Sequence, residues 1–157
     1  MWKERIAEQL GNDWIPHLYS ERVRPQRTRS FELNVPEKEN KPYVLHTLLG
    51  VELKVGNNRL SCPDLATARY LRVFARLGCR HIAIPYDITR ISVLADELEV
   101  AWHRTLLLME EGFKQKSPQA KGRARSALIR QIRDEINAIG AGEAMPGFNQ
   151  STRQRNI

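Results

Sequence analysis

Apolar residues recur along this chain at helical and at strand spacings, and each spacing predicts an element. Trp2, Ile6 and Leu10 recur every fourth position and Gly11 ends the run, which predicts a short helix over residues 2–11. Across 16–42 the periodicity lapses. Pro16, Pro25, Pro36 and Pro42 break any helix there, so the stretch reads as a connector, with only 30–35, SFELNV, alternating like a strand. A segment this long is expected to wrap the surface or to carry function. Residues 43–55, YVLHTLLGVELKV, are rich in β-branched and aliphatic residues and read as strands, with Gly50 at a bulge or turn. Gly56-Asn57-Asn58 is a hairpin turn, and Arg59-Leu60-Ser61 the returning strand.

The second half is more regular. A helix is predicted over 63–77: Ser61 or Cys62 caps it, Pro63 takes the first helical position, Asp64 faces the positive end of the dipole and Gly78 closes it. Leu65, Ala68, Leu71, Phe74 and Leu77 give its buried face. Arg69, Arg72 and Arg76 share the opposite face. Residues 80–84, RHIAI, follow as a strand, and the order strand–helix–strand suggests a right-handed crossover with parallel pairing. Asp87 caps a helix over 88–113, roughly 39 Å long, with Ile91, Leu94, Leu98, Trp102 and Met109 in one stripe. Ser117-Pro118 starts another that runs to Gly140, striped by Leu128, Ile132, Ile136 and Ile139. The short loop between them favours an antiparallel αα-hairpin. The expected fold is therefore α+β: a small mixed β-sheet with one crossover helix, followed by a long antiparallel αα-hairpin. Residues 1–140 are read as one domain and 141–157 as a flexible basic tail.

Charge changes this picture by its placement. The 157 residues carry a net charge of +7. Residues 1–42 hold 8 Lys/Arg and 7 Asp/Glu, residues 43–113 hold 8 and 8, and residues 114–157 hold 9 and 3. A neutral body with a basic end suits a polyanion partner, either nucleic acid or another acidic surface. No window approaches a membrane span, and the charged N-terminus lacks an apolar signal core. Cys62 and Cys79 are read as reduced thiols. Together these place the expected chain in the cytoplasm, away from membranes.

Three constellations could carry chemistry. In Glu52-Leu53-Lys54 a carboxylate and an ammonium share one face of a strand, where the first could help hold Mg²⁺ or Mn²⁺ and the second could orient a water. With the helix and strand that follow, residues 43–86 resemble the PD-(D/E)xK nuclease superfamily. That resemblance implies catalytic roles for Glu52 and Lys54, with Glu52 as a metal ligand. The superfamily has an acid on the preceding strand, and no acid lies between Glu39 and Glu52. Glu32, Glu37 or Glu39 would have to substitute, with Asp64 as another metal ligand. The second constellation is the arginine ridge of Arg69, Arg72 and Arg76, extended by Arg80. It could track phosphates, or pair with Asp96, Glu97 or Glu99 on the long helix. The third is the basic set Lys114, Lys116, Lys121, Arg123, Arg125, Arg130 and Arg133, from the tip of the hairpin onwards.

The four histidines are scattered without metal spacing, and no glycine-rich phosphate loop is present. The leading expectation is non-enzymatic binding of a polyanion, most directly nucleic acid, with no cofactor. The alternatives are a nuclease using Mg²⁺ or Mn²⁺, and a protein-assembly module in which the long helices form a homo-oligomer.

Overall fold

The fourfold spacing at the N-terminus folds as helix α1, Trp2–Leu10, which buries Ile6 and Leu10. The structure, a computed structural model, describes residues 2–141, so all but Ala141 of the expected tail lies outside the described residues. A 3-10 turn at Gly11–Asp13 leads to α2, Ile15–Leu18, and to a π-helical turn, Tyr19–Val23. The start of the expected connector is thus helical. Pro16 is compatible with that because it sits in the first turn, where its missing N–H costs nothing. Strand β1 spans Thr28–Glu32. Strands β2 (Tyr43–Thr47), β3 (Gly50–Val55) and β4 (Asn58–Cys62) form an antiparallel meander, in which Gly56 takes φ +60° in the β3–β4 turn.

Helix α3 spans Leu65–Leu77, and its cap is Asp64 rather than Ser61 or Cys62. The reason is local: β4 keeps the chain extended through Cys62, so Asp64 is the first residue able to turn its carboxylate onto an unpaired helical N–H. It accepts from Thr67 N at 2.7 Å. Gly78 ends the helix at φ +79°, and a Cβ there would lie 2.4 Å from the Lys38 carbonyl oxygen, so both conformation and space require glycine. Strand β5 is His81–Pro85. Helices α4, Ile88–Gly112, and α5, Pro118–Ile139, begin at the expected caps, Asp87 and Ser117. Lys121 meets Glu110, and Arg125 lies over the Trp102 ring. Contacts step back along α4 as α5 advances, so the two helices run in opposite directions.

The α+β class holds, but the strands do not form one mixed sheet with a parallel crossover. There are two antiparallel sheets, β1–β5 and β2–β3–β4, and α3 connects one to the other. β5 pairs with β1, Phe31 opposite Ile82 and Arg29 opposite Ile84. Two tyrosines explain why no strand joins its other edge. The Tyr70 hydroxyl donates to the Ala83 carbonyl at 2.6 Å, and the Ala83 N–H donates to the Tyr19 hydroxyl at 2.8 Å. Both backbone groups that a parallel neighbour would need are already satisfied. Tyr19 also donates to the Gly140 carbonyl at 2.6 Å, tying the end of α5 to the same point.

One core joins the layers. Leu53 from β3, Leu71 and Phe74 from α3, Leu94 and Leu98 from α4, and Ile132 and Ile136 from α5 are all buried in it. Among the described residues, no helix is long and apolar enough to cross a membrane.

Candidate functional site

On β3 the alternation sends Leu53 and Val55 inward and leaves Glu52 and Lys54 on the outer face. Glu52 accepts from Arg59 Nη1 across the β3–β4 pair at 3.3 Å. Lys54 lies opposite Arg59 on one side and Tyr43 on the other. Three of the four carboxylates expected to complete a metal site are engaged elsewhere or on another sheet, and Glu37 lies exposed in the irregular segment after β1. Asp64 caps α3, Glu39 is bound by Arg125, and Glu32 sits opposite His81 on β1–β5. Among the described residues, no group of three or more His, Cys, Asp or Glu side chains could hold a metal ion. Glu52 and Lys54 share a face as the sequence requires, but the donor set around them does not fit a divalent cation.

The α3 arginines face α4. Arg69 donates from Nε to Glu99 Oε2 at 3.1 Å and from Nη2 to Glu99 Oε1 at 2.8 Å, and it also pairs with Asp96 at 2.5 Å. Arg72 shares the same carboxylate at 2.9 Å. Hydrogen bonding from Arg69, and then from Arg72, holds Glu99 below the usual glutamate range against a desolvation that opposes it. The same bonds raise the Arg69 guanidinium, Glu99 contributing more than Asp96. Among the described residues, Arg76 has no carboxylate within ion-pair distance. Partial burial, and then the neighbouring Arg72, push its guanidinium below its usual range. Arg80, past the helix, is exposed, and its carbonyl accepts from Leu33 N at 2.7 Å. The ridge read from spacing is therefore largely an interhelical ion-pair network.

The C-terminal basic set divides in the same way. Arg125 donates from Nε to both Glu39 oxygens at 2.8 Å, and this hydrogen bonding raises its guanidinium. Lys121 pairs with Glu110 at 3.5 Å. Arg133 is buried and caps the end of α3 by donating to the Leu77 carbonyl at 2.9 Å. The side chains of Lys114, Lys116, Arg123 and Arg130 make no ion pair or hydrogen bond with the described residues, and all four are exposed. Arg123 and Arg130 flank a shallow open strip on α5 lined by Gln119, Gly122, Ser126 and Ala127. Seven residues apart, they sit about 10.5 Å from each other along one face. Lys114 and Lys116 precede the Ser117 cap, where the positive end of the helix dipole adds to their charge.

The small residues of this strip were not singled out by the sequence reading. Their signal is Gly122 and Ser126, four apart on one face with Ala127 beside them, which leaves room beside the two arginines for a close approach. The other concavity of note is opposite in sign. A void of about 580 Å³ between the N-terminal helices and α4 is rimmed by Asp13, Glu21, Asp96 and Glu97. Arg104 and Arg22 pair with Asp13 and Glu97 beside it. Cys62 and Cys79 are free and buried, and desolvation pushes their thiols up to about 11 and about 12. No protein family, curated protein or solved structure matches this chain.

Proposed function

We propose that this chain binds the sugar-phosphate backbone of a nucleic acid, without catalysis, through the outer face of α5 and the connection that precedes it. The observation that carries this reading is the placement of unpaired cations. Among the exposed cations that have no ion pair with the described residues, Lys114, Lys116, Arg123 and Arg130 fall on one continuous stretch of chain, beside a strip that includes Gly122, Ser126 and Ala127. Guanidinium groups on an exposed helix face suit phosphate oxygens, and small neighbours let a backbone approach them. Contacts from guanidinium groups to phosphates carry no base information, so recognition through them is independent of sequence. Two buried, unpaired thiols suit a cytoplasmic setting.

The test is anisotropy of a labelled mixed-sequence oligonucleotide, titrated with the protein at several salt concentrations. Engagement of the four cations by duplex DNA gives a slope of log K against log salt of about −3 to −4. Absence of binding at roughly 50 mM salt, or a slope near zero, overturns the reading.

A further inference from the structure

The solvent face of α4 is not the polar face that a helix at the edge of a domain ordinarily presents. Val93, Val100 and Leu107 lie opposite the buried stripe and are 49%, 54% and 57% exposed, with Val100 also forming part of the wall of the void beside the N-terminal helices. They are spaced by seven, so they form a single line along the helix, one apolar position per heptad where a full helix–helix seam has two. Beside that line stand Arg90, Glu97, Arg104 and Glu111, also spaced by seven and alternating in sign. From this we infer that α4 pairs with α4 of a second copy of the chain, antiparallel, about a twofold axis next to Val100.

The charge order selects both the partner and the direction. Under a twofold axis next to Val100, Arg90 of one copy faces Glu111 of the other, and Glu97 faces Arg104. Each contact occurs twice, as isologous pairing requires. Val93 then lies against Leu107, and Val100 against its own counterpart. In a parallel pair the twofold runs along the seam and turns this flank toward Asp96, His103 and Glu110 of the second copy, which sets Glu97 and Glu111 against acids. Glu97 and Arg104 are held on this flank by Arg22 at 3.1 Å and by Asp13. Arg90 and Glu111 have no ion pair among the described residues, so they are the charges that the second copy satisfies. A seam of three apolar side chains is narrow, which makes the association weak and concentration-dependent.

Cysteine cross-linking tests the register. Val100→Cys is expected to form an intermolecular disulfide under mild oxidation, because the axis brings its two copies together. Val93→Cys mixed with Leu107→Cys is expected to give the mixed dimer, at several times the yield of Val93→Cys alone. Wild-type protein, whose thiols are buried, serves as the background. All three positions are exposed, so the variants fold. Cross-linking at the wild-type level for both Val100→Cys and the mixed pair overturns the inference. So does a Val93→Cys homodimer that forms more readily than the mixed dimer, which is the parallel outcome.

Discussion

Helices α3 and α5 each carry arginines spaced by seven along one face, yet the two faces have different fates. On α3, Arg69 and Arg72 meet Glu99, and Arg69 also meets Asp96, because α4 lies across that face with acids at i and i+3. On α5, Arg123 and Arg130 meet no acid, because no described element covers their side of the helix. The chemistry of the side chains is the same. What differs is the neighbour, and the neighbour decides whether a basic helix face is internal glue or a surface for a partner. A stripe of arginines therefore reports only that a face is basic. Its availability depends on an element elsewhere in the chain.

The sharpest way to break this comparison is to remove each pair of arginines and measure the same binding. Arg123→Ala with Arg130→Ala is expected to weaken oligonucleotide binding by roughly 10- to 100-fold at low salt, and to reduce the salt slope by about two. Arg69→Ala with Arg72→Ala is expected to change affinity less than about twofold while lowering stability. Anisotropy titrations on the wild type and the two double variants decide it. If the α3 pair causes the larger loss of affinity, the two faces have been assigned in reverse.

The next effect is on stability. Glu99→Gln leaves two partly buried guanidinium groups without their shared carboxylate. It is expected to cost about 1–2 kcal/mol, and to lower Tm by roughly 2–8 °C. Oligonucleotide affinity is expected to stay the same or rise, since Arg69 and Arg72 then carry less compensated charge. Urea melts and anisotropy on one preparation test both halves. A variant as stable as wild type would mean that the network on α3 holds nothing together.

A smaller effect follows from the pH dependence of the same pair. Glu99 is depressed in the fold by Arg69 and Arg72, so its unfolded state binds the proton more tightly. Its stabilisation is complete above the ordinary glutamate range and is lost as pH falls through the depressed folded value. The stability difference between wild type and Glu99→Gln should therefore shrink steadily below about pH 4 and close in stronger acid. A difference that stays constant over that window places its origin in packing, not in charge.

Much of the fold was legible because it rests on local signals. Asp87, Ser117-Pro118, Gly56-Asn57 and Gly78 each satisfy a backbone requirement within a few residues, so caps and turns fall where the sequence puts them. Sheet pairing was less legible. The edge of β5 is closed by hydroxyls from Tyr19 and Tyr70, which lie 64 and 13 residues from Ala83, and neither residue advertises that bond locally. The candidate site shows the same division. Asp96, Glu97 and Glu99 were readable as possible partners for α3 because all three lie on the next long helix; Asp96 and Glu99 take that role, while Glu97 pairs with Arg22. Glu39 as the partner of Arg125, 86 residues away, was not, because it comes from the irregular segment after β1. The strip beside Arg123 and Arg130 is defined by what fails to cover it, and that depends on the whole fold.

The finest distinction lies within α3 itself. Arg76 continues the line of Arg69 and Arg72 but has no ion-pair partner among the described residues. Partial burial, and then Arg72, hold its guanidinium below its usual range, so the fold slightly disfavours the charge that Arg69 and Arg72 use to advantage. Arg76→Met keeps most of the aliphatic stem and removes the cation. Solvent screening limits the gain from relieved repulsion, and the attraction to Glu39 and Glu99 is lost with it. The net change is expected to lie within about 0.5 kcal/mol of zero. Arg72→Met at the next position back strips a hydrogen-bonded ion pair and is expected to destabilise by about 1 kcal/mol. Paired urea midpoints measure the contrast. Equal losses at the two positions would mean that the arginines of α3 act through the packing of their stems, and that the carboxylates of α4 are incidental to it.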